Sequence, residues 1–204
     1  MDIKAKYRRA NQSEGRKIVS FMPVLKVAQV YVANNFIEKE RCYLYKAGNR
    51  ILCLNFYFLP ENFLHLCGLG YKQGGAKRFW HDLQRNHVIV SNLQVKSDGS
   101  TFQKLQILNL LPYLDKLDLT VTGMGTYLHL NYQHAIRTRR ELIALALVHD
   151  EAHYRPLSLL NLQGGKFRND KQYPVVAIIE CQSDGSKILI AGNKPLDFWK
   201  TYLC

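Results

Sequence analysis

The apolar period of this chain changes partway along, and that change sets its fold class. In residues 18–36, Phe21, Val24, Leu25, Ala28 and Val32 recur at helical spacing, flanked by Val27 and Tyr31, and Asn34-Asn35 can end the helix. From Leu117 onward the period is two. Residues 117–122, 126–131 and 141–149 alternate or run apolar, with Gly123 and Gly125 at a turn, and read as three antiparallel strands. Two hairpins stand apart from these. Residues 42–46 and 51–58 flank Ala47-Gly-Asn-Arg50, and residues 175–182 and 187–190 flank Ser183-Asp-Gly-Ser186. Residues 51–58 are apolar on both faces, as in a central strand, and Pro60 ends them. Short helices are expected over 77–86 and 101–111, the second stopped by Pro112. N-terminal helices and a hairpin, followed by an antiparallel meander, make an α+β fold.

At 204 residues the chain can bury one sizeable core, so residues 18–204 are expected to form one domain. Residues 1–17 carry Lys4, Lys6, Arg8, Arg9, Arg16 and Lys17 with almost no large apolar side chain, and read as a flexible basic arm. The longest apolar run, 142–148, is of strand length, far short of the ~20 residues that span a bilayer. No signal-peptide pattern opens the chain. The five cysteines are odd in number, widely spaced and without a Cys-x-x-Cys pair. They suit small buried residues in a reducing, cytoplasmic setting rather than a zinc ribbon or a redox motif. Twenty-eight Lys and Arg against 16 acids give a net charge of +12. Such a surface attracts polyanions, RNA or single-stranded nucleic acid first among them, although it would also serve solubility alone. No basic amphipathic helix points to a membrane.

Three short segments carry candidate chemistry. Residues 61–68, Glu-Asn-Phe-Leu-His-Leu-Cys-Gly, place His65 in an apolar run that stops at glycine. Thr101-Phe-Gln-Lys104-Leu opens the second helix, with Ser100 or Thr101 as N-cap. Arg155-Pro-Leu-Ser158-Leu-Leu reads as a loop after the last long apolar run. Ionisable groups in such runs keep their tips at a surface or on a partner, because burying them alone is costly. In order, the segments resemble the BECR nucleases, the fold shared by barnase, EndoU, colicin E5/D and RelE. They are most similar to the phage-associated branch, where Phe-x-His-Leu-x-Gly, Thr-x-x-Lys-Leu and Pro-x-Ser-Leu-Leu recur. Here these read Phe63-Leu-His65-Leu-Cys-Gly68, Thr101-Phe-Gln-Lys104-Leu105 and Pro156-Leu-Ser158-Leu-Leu160. The resemblance spans about residues 20–190. It implies that His65, Lys104, Arg155 and Ser158 converge as a catalytic set. It also implies a toxin or phage effector with an inhibitor or immunity protein as partner.

Metal-free RNA cleavage needs a base for the 2′-OH proton and cations for the charge that builds on phosphorus. Histidine suits the first task, Lys and Arg the second, and no cofactor is expected. Each residue also has a plainer reading. His65 could be a core-edge histidine bonded to backbone, Lys104 a solvated helix lysine, and Ser158 the cap of a short turn. Cys67 stands where many relatives carry Thr, which weakens the case if that hydroxyl touches phosphate. Lys77, Arg78 and Trp80 interleave cations with aromatics, as suits phosphate contact and base stacking, though Phe79 and Trp80 fit a core equally well. Thr101 could donate to a phosphate. Tyr127 and His129 alternate on one expected strand and so share a face, for substrate or for cross-strand packing. His149-Asp-Glu-Ala-His153 is not a zincin motif, and no metal site is expected. The alternative to an endoribonuclease is a non-catalytic protein that binds nucleic acid or blocks a host nuclease.

Overall fold

The computed structural model describes residues 6–127, 130–150, 153–163 and 171–203. From Tyr7 on, the stretch expected as a flexible arm is strand and helix instead. β1 (Tyr7–Arg9) is followed by α1 (Gln12–Ser20), which a capping box starts. The Asn11 side chain accepts from the Glu14 N–H, and the Glu14 carboxylate accepts from the Asn11 N–H, both at 2.9 Å. Arg8 beside Glu14 holds its carboxyl at about 2. The helix expected over 18–36 is in fact two, because the chain bends at Phe21 and Pro23 helps to restart it as α2 (Met22–Asn35).

β2 (Lys39–Ala47) and β3 (Arg50–Tyr57) form the expected hairpin, with Ala47 opposite Arg50 and Gly48 at φ +63° in the two-residue loop. Only the second half of β3 is central. Leu54 and Phe56 are buried, whereas Leu52 is 41% exposed. Then come α3 (Pro60–Leu66), β4 (Leu69–Tyr71), α4 (Gly75–Gln84), β5 (Leu93–Lys96) and α5 (Ser100–Leu105). The helix expected over 101–111 ends at Leu105, and a 3-10 segment (Leu108–Asp115) carries the chain through Pro112. The C-terminal half holds β6 (Leu119–Thr122), β7 (Gly125–Tyr127), β8 (Leu130–Tyr132), β9 (His134–Thr138), β10 (Ile143–Asp150), β11 (His153–Asn161), β12 (Gln172–Gln182), β13 (Lys187–Gly192) and α6 (Leu196–Lys200).

The sheet is a closed barrel of seven strands, not an open meander. Its ring runs β12-β2-β3-β11-β10-β9-β6 and returns to β12, with β13 attached to β12 outside the ring. Two features separate it from a meander. β3 and β11 lie parallel, with Tyr154 opposite Phe56. β12 is 11 residues long, and one edge serves two neighbours: residues 172–174 pair with β6, and 177–181 pair with β13. A register shift between Val175 and Ala177 bends it into the closing turn. Tyr43, Phe56, Ile136, Leu145 and Ile178 fill the interior together with Phe36 of the helical layer. Arg41, 1% exposed, ties that layer to the ring by pairing with Asp115 at 3.1 Å and Glu180 at 3.2 Å. A second, three-stranded sheet, β1-β5-β4, carries α3 to α5.

Candidate nuclease site

The His65 segment is shaped from both ends. Pro60 sits in the first turn of α3, and the Asn62 side chain accepts from the Leu59 N–H at 2.8 Å. Gly68, at φ +67°, stops the helix, and its N–H bonds the His65 carbonyl at 3.0 Å. Phe63, Leu64, Leu66 and Cys67 are buried, so His65 alone turns outward in this last turn. Cys67 is fully buried, so the side chain at that place presents no group to the surface.

Gly68 brings α5 close. A Cβ there would lie 2.8 Å from the Lys104 Cδ, so only glycine admits the lysine stem. Thr101 fixes the junction, donating to the Gly68 carbonyl at 2.6 Å and accepting from the Lys96 N–H at 2.8 Å. Thr101 is wholly buried, so it is a strut rather than the phosphate contact expected of it.

Arg155 and Ser158 lie on β11, not in a loop. Ser158 pairs with Ala146 and Pro156 with Leu147, leaving Leu157 as the extra residue of a bulge. A bulge tolerates the missing proline N–H and re-aims the following side chain. Ser158 is thereby turned inward, where its Oγ accepts a short hydrogen bond from the Lys104 ammonium. α3 and α5 both pack against β11, so the three motif segments meet.

Positive charge dominates this meeting point. Burial first, then the charges of Lys6, Arg155, Lys104 and Lys96, hold His65 below its ordinary 6.5. Lys104 is 5% exposed, and burial, then Lys96, push it down to about 7. Arg155 reaches the surface, paired with Asp150 at 2.5 Å. Asp98 lies within the field of Lys96 and Lys104. Burying a lysine ammonium against a serine hydroxyl is costly, and an arriving phosphate would offset that cost. Of the four expected residues, His65 and Arg155 are accessible, while Lys104 and Ser158 lie beneath them. Lys6 was expected only as part of the basic arm, and Lys96 was not foreseen. They come together because Tyr7 pairs with Lys96 and the Lys6 carbonyl accepts from Ser97.

The other expected contacts divide. Lys77 is exposed on α4. Arg78 is also exposed, and binds Asp82 at 2.8 Å. Trp80 cannot stack on a base, because it is 4% exposed and packs edge-on against Phe63 at 5.5 Å. Tyr127 is half-buried and gives its hydroxyl to the Asn161 carbonyl at 2.6 Å, anchoring the β7–β8 hairpin. His129 lies outside the described residues.

Residues 24–187 match the model of the phage-Barnase-EndoU-ColicinE5/D-RelE like nuclease 4 family. The chain belongs to that family. The match covers all three segments that converge at His65, together with the whole seven-strand ring, and stops at the first residue of β13. No curated protein and no solved structure matches the chain significantly. A nuclease family domain and a cationic, histidine-bearing cluster therefore coincide in the same residues. No described helix is long and apolar enough to cross a membrane.

Proposed function

We propose that the chain is an endoribonuclease that cleaves RNA by 2′-OH attack and needs no metal. The observation that carries this reading is the exposed His65 set among Lys6, Lys96, Lys104 and Arg155, whose charges, with burial, disfavour its protonation. A neutral imidazole at pH 7 can take the 2′-OH proton. The freed oxygen attacks phosphorus, the bond to the 5′-oxygen breaks as that oxygen takes a proton from solvent, and a 2′,3′-cyclic phosphate and a 5′-hydroxyl remain. Arg155 binds the phosphate from the surface, and Lys104, held by Ser158, adds charge from beneath the growing phosphorane. These cations do the work a divalent ion would otherwise do, so cleavage should survive EDTA and leave the cyclic product. Loss of activity in EDTA with rescue by Mg²⁺ would overturn the mechanism. His65→Gln keeps polarity and size but cannot carry the proton. Turnover should fall roughly 10²–10⁴-fold while RNA affinity and melting temperature hold, and undiminished cleavage would end the claim for His65.

The burial of Lys104 and Ser158 favours a second reading, in which the domain binds nucleic acid, or blocks a host nuclease, without cutting. Tight RNA binding with no cleavage by the wild-type chain would decide for it. The family resemblance adds an inhibitor or immunity protein as a partner, and one that buries His65 and Arg155 under carboxylates would suit the field here.

A further inference from the structure

The outer face of the barrel holds a second cluster. Glu40 and Cys42 are two residues apart on β2 and so point to one side, and Cys181 on β12 lies directly opposite Glu40. One donor atom from each of the three lies within 4.8 Å of the others, and the two sulfurs are 3.8 Å apart. Zinc binds thiolate at ≈ 2.3 Å, and two sulfurs on a tetrahedral ion at that distance stand roughly 3.8 Å apart. A disulfide needs its sulfurs at about 2.05 Å, and the two cysteines are diagonal rather than directly paired, so the geometry fits an ion better than a bond. A cavity of about 570 Å³ opens on all three groups, with Tyr57 on its wall. His153, at the start of β11, packs edge-on against Tyr57 at 4.9 Å, with Nδ1 3.9 Å from a Glu40 carboxylate oxygen. That places an imidazole, a further zinc-binding group, beside the Glu40 carboxylate.

We propose that Cys42, Cys181 and Glu40, completed by His153, bind a zinc ion that staples β2, β12 and the start of β11. Binding displaces the two thiol protons, and no redox change is involved. The ion lies among residues the nuclease reading does not use, so its test needs no RNA. The full chain, reduced and made metal-free, is titrated with Zn²⁺ against a chromogenic chelator and separately with Co²⁺. One equivalent should bind, with a thiolate-to-cobalt charge-transfer band of two-sulfur intensity and a rise in melting temperature. Cys42→Ser and Cys181→Ser should each halve that band. Glu40→Gln, which leaves both thiols in place and guards against misfolding of the serine variants, should weaken zinc by at least about tenfold. No binding at micromolar zinc, full binding by the double serine variant, or an intact band in both single variants would overturn the site. So would oxidation to a Cys42–Cys181 disulfide by a protein that takes up no metal when reduced.

Discussion

Lys104 shows how one residue can be costly to the fold and useful to the chemistry. Its pKa falls from 10.5 to about 7. Below pH 7 it is charged in both folded and unfolded chains, and the folded state carries the whole burial penalty. Between about 7 and 10.5 the unfolded chain holds more protons, so stability rises with pH across that window. At 1.36 kcal/mol for each pKa unit, the penalty is bounded at roughly 5 kcal/mol. Lys104→Met should therefore raise stability at pH 7 by about 1–3 kcal/mol, or several degrees of Tm, and flatten the rise with pH, while turnover falls. Melting curves at pH 6 to 10 check this, and a less stable methionine variant would show that the ammonium is well compensated. The same two groups set the pH profile. The ascending limb of kcat/KM should have its midpoint below 6.5, where His65 loses its proton, and the descending limb should lie near 7, where Lys104 does. In Lys104→Met the descending limb should vanish.

The elements around the site depend on one junction. Thr101→Val removes the partner of a buried carbonyl and of a partly buried N–H, and should cost about 1–3 kcal/mol and lower turnover with it. Thr101→Ser keeps both bonds and should restore most of each. Thermal melts and cleavage rates of the two variants together distinguish a strut from a substrate contact, which would spare stability in both. Gly68→Ala should be worse than Thr101→Val, because it adds a left-handed residue to a clash with Lys104. The motif residues of this junction were legible, since His65, Lys104 and Ser158 each stand in a short recurring pattern. Their setting was not. Pro156 read as a loop because proline rarely sits within a sheet, and only the bulge at Leu157 admits it to β11. Lys96 ends a strand of four residues and Lys6 directly precedes one of three, too short for any period to show.

Barrel closure belongs to the whole molecule and left little trace in local pattern. The hairpins β2–β3 and β12–β13 were readable from their turns. The parallel contact of β3 with β11 and the return of β12 to β6 join segments far apart in sequence, which periodicity does not register. Net charge, by contrast, is a global property that sequence reports directly, and it carries the last prediction. Many acids are already committed, Glu14 to Arg8, Asp82 to Arg78, Glu180 to Arg41 and Asp150 to Arg155. The surplus of the +12 is left to face a polyanion. Binding of single-stranded RNA should weaken log-linearly with salt, with a slope of about −0.7 for each phosphate neutralised. If the field around His65 is the binding site, Lys6→Ala and Lys96→Ala should each reduce that slope by about 0.7–1, and Arg155→Ala by less, because Asp150 already pairs with it. Lys77→Ala tests how far the track runs along α4, and Arg78→Ala should matter less because Asp82 already holds it. Titrations of a short RNA at four salt concentrations give the slopes. Equal slopes in wild type and in the Lys6, Lys96 and Arg155 variants would place the RNA on another face, and the proposed site with it.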